Sequence, residues 1–316
     1  NKFGSRCKSL KSRPLRRITA ASGGRRRRRP AFTIARIPRL AGRNTRHPAA
    51  ARVLVLMGPR LLSMLFLHLY FLARDNLASH FPGGAVTILN YGWFIQQMPE
   101  TLIGTAIAIA LLPSLSEHIT RGQPTEFRDT VNRALRAMLA LTLPAAALLG
   151  VAIQPLGEAI FGFQGADAVL LAWVTRAFLL GLLGHTWLEV AVRSFFAQQD
   201  ALRPLAAAFG MLLLYLGLAL TLPAWFGLGG LALADTLAFT SQALALHWIL
   251  HRRYPGTLRL GSTLPRTLGS AALGGGTAWL VMQLMPGLWG ALAALGAGGM
   301  ACLPLILPEL KLLRRL

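Results

Sequence analysis

Charge is scarce in most of this chain. Only 14% of its 316 residues are Asp, Glu, Lys or Arg, against about 25% in ordinary soluble domains. Acids are rarest: there are 11, and none precedes Asp75. So few charges cannot clothe a water-exposed surface of this size, which excludes a soluble globular enzyme. Cysteine is nearly absent too. Cys7 lies in a basic segment and Cys302 in an apolar run, so neither a disulfide framework nor a cysteine metal site is expected. No Gly-x-Ser-x-Gly, Walker-type phosphate loop or His-Glu-x-x-His occurs, which removes the usual marks of hydrolysis, nucleotide chemistry and zinc catalysis. The short connections between apolar runs leave no room for the large loops of a membrane-embedded transferase.

What the chain does have is hydrophobicity, 54% of residues, with a mean hydropathy of +0.50. Its basic excess is local. Residues 1–50 hold 16 of the 33 Lys and Arg and no acid, while residues 51–316 hold the other 17 and all 11 acids. The head, with "GGRRRRRPAFTIARIPRLAGRNTRHP" (23–48), has no apolar periodicity. Such a charge run can attract nucleic acid or anionic lipid. The expectation is instead a disordered leader, or sequence outside the natural protein, with no nucleic-acid partner.

A membrane-spanning helix needs about 20 mostly apolar residues. Eight segments qualify: 52–74, 85–113, 134–154, 168–195, 204–223, 228–250, 267–285 and 288–308. "LPAWFGLGG" (222–230) and "MPG" (285–287) divide runs too long for one helix, since proline and glycine punctuate. The expected fold is an all-α polytopic membrane protein of eight transmembrane helices. With eight spans, 13 Lys and Arg from Arg121 to Arg315 fall on one side and Arg74 alone on the other. The positive-inside rule makes the richer side cytoplasmic, so both ends of the apolar body are expected there.

Polar residues within the spans carry the functional signal, because ionisable groups at membrane depth face a cavity or a partner. The stretch "LNYGWFIQQMPETLIGTAIAIALLPSLSEHI" (89–119) places Gln96, Gln97 and Glu100 around Pro99, and a bend is expected there. Arg60 follows Pro59 in the preceding span. Arg60 and Glu100 either neutralise each other or line a wet cavity, where the guanidinium would hold an anionic group such as a phosphate. His185, Glu189 and Arg193 share one helix face at i, i+4, i+8. A Glu189–Arg193 pair competes there with a gating or proton-relay role for His185 and Glu189. Asp235 is either capped by neighbouring backbone or hydroxyls such as Thr236 and Thr240 or takes part in ion coupling.

Several stretches carry a family resemblance. "LMGP" (56–59) with "DNLAS" (75–79), "LNYGWFIQQMPETLIGTAIAIALLPSLSE" (89–117), "NRALRAMLALTLPAAALLGV" (132–151) and "RSFFAQQDALRP" (193–204) resemble, in this order, parts of the MurJ/MviN lipid II flippases. These belong to the multidrug/oligosaccharidyl-lipid/polysaccharide exporter superfamily. The resemblance covers about residues 52–316, and it implies helices seven to fourteen of a fourteen-helix fold. Three parts follow from it: the head at 1–50, a six-helix lobe at 51–252 and a helix pair at 265–310. It also implies a lobe of six further helices beyond this sequence, either as missing sequence or as a partner.

The implied activity is transport, not catalysis. An undecaprenyl-pyrophosphate-linked peptidoglycan precursor would be flipped across the bacterial cytoplasmic membrane by alternating access. A polysaccharide or drug exporter of the same superfamily, or a non-transporting membrane fragment, is the alternative. The resemblance implies no cofactor and leaves sodium, protons or the membrane potential as coupling sources. Many members have a cavity arginine on the eighth helix where this sequence has Phe94, so Arg60 is expected to supply that cation. Some members bind sodium through a carboxylate at the end of the seventh helix, a position that Asp75 matches. Tyr215 and Ala219 stand at the accompanying places on the eleventh, which leaves that site incomplete.

Overall fold

The computed structural model describes residues 48–313, with side-chain environments from Met57 to Glu309. The head at 1–50 and its expected disorder fall outside the described residues, apart from the start of the first helix. Helices are α1 (Pro48–Ala78), α2 (Ala85–Pro99), α3 (Ala106–Thr120), α4 (Pro124–Phe161), α5 (Gly165–Leu180), α6 (Leu182–Ala197), α7 (Leu202–Thr221), the single turn α8 (Pro223–Phe226), α9 (Gly229–Arg253), α10 (Thr263–Leu284) and α11 (Leu288–Leu313). A π-helical turn, Glu100–Thr105, joins α2 to α3. With α2–α3 and α5–α6 each read as one rod, eight rods stand where the eight apolar segments lie.

Five of the rods are long and apolar enough to cross a membrane on length and composition alone: Ala85–Thr120, Pro124–Phe161, Gly165–Ala197, Leu202–Thr221 and Leu288–Glu309. The other three, α1, α9 and α10, have 31, 25 and 22 residues. Each exceeds the roughly 30 Å bilayer core at 1.5 Å per residue. Large exposed apolar side chains, among them Leu72, Leu102, Leu220, Trp225 and Met300, cover the outer faces. That surface suits lipid, not water.

Two local features depart from simple rods. Proline has no N–H to give the preceding turn, and its ring crowds the carbonyl four residues back. After Pro99 the helix widens into the π turn, and the Glu100 N–H reaches the carbonyls of Gln96 and Gln97. π turns inside α-helices frequently mark functional sites. The segment expected to run unbroken from 168 to 195 divides at Gly181, whose N–H bonds the Phe178 carbonyl at 2.8 Å.

Within the bundle α6 packs on α9, α4, α3 and the π turn, while α1 packs on α7 and α2 at the edge. Small residues let the backbones approach, the usual device where lipid removes the hydrophobic drive between helices. A Cβ on Gly181 would lie 3.0 Å from Thr236 Cα, and one on Gly104 would meet Thr186 Cγ2 at 2.8 Å. The pair α10–α11 lies against α4.

Candidate functional site

Beneath these close contacts lies a chain of buried polar groups drawn from four rods. The π turn carries Glu100, α6 carries His185, α9 carries Asp235 and α1 carries Tyr70. Asp235 is fully buried, and Glu100 and His185 are 7% and 6% exposed. His185 Nε2 lies 3.1 Å from Asp235 Oδ2, and Asp235 Oδ1 accepts a hydrogen bond from the Tyr70 hydroxyl. On its other side, His185 Nδ1 faces Glu100 Oε2 at 3.8 Å. Gln96 Nε2 donates to that same carboxylate oxygen at 3.1 Å. The imidazole stacks on Phe239, 4.4 Å between centroids.

The local sequence explains the convergence. The π turn directs Glu100 toward α6. His185 stands one turn beyond Gly181, its N–H on the Gly181 carbonyl at 3.0 Å, and faces Asp235. Thr236 Oγ1 donates to the Ala177 carbonyl at 2.7 Å, so it ties α9 to α5 and does not cap Asp235 as one reading of the sequence had it. Thr240 packs against Gly184.

The other expected residues are placed as follows. Glu189 pairs with Arg193 one turn along α6. Gln97 is partly exposed and donates to Thr101 Oγ1 at 3.3 Å. Asp75 pairs with Arg74 at 3.1 Å and keeps a side chain 44% exposed. Arg60 is exposed on α1, with its guanidinium carbon 5.5 Å from the Phe196 ring centroid. Arg60 and Glu100 are thus not partners: Glu100 turns inward to Gln96 and His185, while Arg60 points out. Phe94 is 49% exposed.

Reasoning from the sequence missed Tyr70, Asn90 and any site role for Arg74, and it named Tyr215 only as one of two places in an incomplete sodium site. Arg74 is 1% exposed, bonds Asn90 Oδ1 and lies 6.0 Å from the Tyr70 ring centroid. The Tyr215 hydroxyl is buried without a partner among the described residues, and its ring lies 4.6 Å from that of Tyr70. The available signal was a tyrosine and an arginine one turn apart on α1.

A bundle with exposed apolar flanks and a buried ionisable centre is the architecture of a membrane-transporter lobe. The fold has counterparts among solved structures. It matches a solved structure of lipid II flippase MurJ in an inward closed conformation with a TM-score of 0.66 at 20% identity, covering 81% of this chain and 53% of that one. It also matches an outward-facing multidrug resistance MATE family transporter with a TM-score of 0.58 at 15% identity, over 82% of this chain and 66% of the other.

The family model described as lipid II flippase MurJ matches residues 33–296, and the chain belongs to that family, one of transporters and not enzymes. The lipid II flippase MurJ of Burkholderia cenocepacia is 31% identical over 174 residues, which are 54% of this chain and 34% of the relative. The probable lipid II flippase MurJ of Rhizobium meliloti is 31% identical over 231 residues, 72% of this chain and 43% of the relative. The chain thus spans less than half the length of these curated relatives.

Proposed function

We propose that this chain forms one lobe and the terminal helix pair of a lipid II flippase of the bacterial cytoplasmic membrane. The match of the family model across residues 33–296 carries the reading. The lobe works against a complementary lobe of six further helices, and alternating access between the two moves the undecaprenyl-pyrophosphate-linked precursor. The edge position of α1 supports this division. It leaves Met57, Arg60, Leu61, Met64 and Leu65 uncovered, a face on which the second lobe and a central cavity fit.

Arg60 is the substrate cation on that face. It lies well inside α1, where a charge against lipid costs at least about 2.5 kcal/mol, and a guanidinium matches a pyrophosphate bidentately. Gln97 and Thr101 on the exposed side of α2 and the π turn add hydrogen-bonding groups to the same cavity. Asp75, His185, Glu189 and Asp235 belong to gating and ion coupling. Both ends of the apolar body lie in the cytoplasm.

Complementation tests the whole reading. A flippase-depleted strain that produces this chain together with a family N-terminal lobe should regain growth. The Arg60→Ala variant should fail at equal membrane abundance, and Arg60→Lys should recover in part, because charge survives and bidentate geometry does not. Full activity of Arg60→Ala would overturn the substrate role, and failure of the unaltered pair would overturn the flippase reading.

A further inference from the structure

The central cluster holds two carboxylates and one imidazole, and their contacts leave one position unfilled. The Tyr70 hydroxyl donates to Asp235 Oδ1. Asp235 Oδ2 then accepts from His185 Nε2 at 3.1 Å, which puts a proton on Nε2. Nδ1 points at Glu100 Oε2 across 3.8 Å, too far for a hydrogen bond. Without a proton on Nδ1, two nitrogen and oxygen lone pairs face each other, and two buried anions share no cation in direct contact. A buried charge left uncompensated is costly. One proton on Nδ1 converts the repulsion into an ion pair and supplies the donor that this gap lacks.

The surroundings fix what else can act on the imidazole. The π turn presents Glu100, and α9 presents Asp235 with Tyr70 of α1 behind it. On α6 itself Glu189 follows one turn on, already paired with Arg193. Arg74 on α1 is engaged by Asp75 and Asn90. His247 of α9 lies farther along, its ring 5.8 Å from that of Trp187. No group of three or more His, Cys, Asp and Glu suited to a metal ion occurs among the described residues, and one central donor is an imidazole nitrogen. A proton fits this site where a hard cation, which takes oxygen ligands, does not. Glu189, one turn from His185 toward the end of α6 at Ala197, keeps a side chain 30% exposed.

We propose that His185 Nδ1 is a proton-binding site, reached through Glu189, whose occupancy draws Glu100 and its π turn onto α6. The proton comes from water and returns to water, and no covalent bond other than N–H forms or breaks. Use of this step in transport rests on the flippase reading; proton binding does not. Uptake closes the Glu100–His185 gap and tightens α2–α3 against α6. Release leaves the π turn free to move, so that one proton is exchanged for each change of the lobe's shape.

The test uses the full chain in phospholipid nanodiscs with 15N-labelled histidine rings, and His185→Gln assigns the signal. Between about pH 5 and pH 9 the His185 ring should pass from two protonated nitrogens to one, with Nε2 protonated throughout. Backbone amides of residues 100–105 should exchange about threefold more slowly in the acid form, after correction for intrinsic rates. His185→Gln should lose that pH dependence. Glu100→Gln should lose it too while its His185 ring still titrates, which keeps the test valid if His185→Gln does not fold. A ring that holds one neutral form throughout, or a pH-dependent exchange that survives in both variants, overturns the proposal. Failure of complementation with a titrating His185 would remove the flippase reading and leave the proton site standing.

Discussion

Tyr70 and Asp235, 165 residues apart, are joined by a hydrogen bond in the interior of the lobe. It fastens the edge helix α1 to α9 and fixes the carboxylate that His185 meets. Tyr70→Phe keeps the ring and its packing on Tyr215 and Phe239 but leaves a carboxylate oxygen unsatisfied. That should cost about 1–3 kcal/mol and lower the thermal transition of the detergent-solubilised chain by several degrees. An unchanged transition in Tyr70→Phe would mean that the bond contributes nothing.

The π turn meets α6 closely at Gly104. A Cβ there would come within 3.1 Å of the Thr186 backbone and closer still to its methyl. Gly104→Ala must therefore push α3 away from α6, and overpacking of this kind costs about 1–3 kcal/mol. Gly104→Ala combined with Thr186→Ser, which removes that methyl, should recover part of the loss. If the single change is neutral in a thermal-stability assay, the close approach does not hold the two helices.

The rods could be read from the sequence because apolar runs and their breakers are local features. "LPAWFGLGG" ends α7, forms α8 and starts α9, as proline and glycine there require. The pair of Glu189 with Arg193 was equally legible, being an i, i+4 contact. The break at Gly181 was not, since "FLLGLLGH" keeps its hydrophobicity through the glycine. Nor was the identity of Glu100's partner. Opposite charge and neighbouring helices offered Arg60 as one of two readings, but the direction in which each side chain leaves its helix decided for His185. Contacts 50 and 165 residues apart leave no trace in spacing, so the centre of the site needed coordinates.

The terminal pair is held to the lobe by a polar latch as well as by small-residue packing. Arg136 Nη2 lies 3.0 Å from Glu309 Oε1, and Thr263 Oγ1 donates to the same oxygen at 2.9 Å. The Glu309 side chain is 2% exposed and that of Arg136 30%. Arg136→Ala strands a buried carboxylate, and losing one partner of such a pair costs about 3–5 kcal/mol when both are buried. Partial exposure of the arginine brings the expected loss below that range. Proteolysis in the 254–262 connection should be faster in Arg136→Ala, and Arg136→Ala with Glu309→Gln should restore much of the protection. Equal rates in the single variant and the parent would exclude the latch.

Orientation is the remaining expectation, and the structure improves the choice of probe positions. By the positive-inside rule, the 13-to-1 distribution of Lys and Arg would put the α4–α5 connection outside and the α9–α10 connection in the cytoplasm. Gly165 opens α5 and Gly256 sits in the α9–α10 connection, but their φ values of 55° and 97° would strain a cysteine. Gln164 and Ser262 are exposed neighbours with ordinary backbone, φ −131° and −75°. Cys302, 2% exposed, should stay silent, and Cys7→Ser removes the other native thiol. A membrane-impermeant maleimide applied to intact spheroplasts should label Gln164→Cys and spare Ser262→Cys, and lysis should then expose the second to the reagent. The opposite pattern would invert the lobe, put Asp75 on the cytoplasmic side and require the proton at His185 to enter from outside the cell.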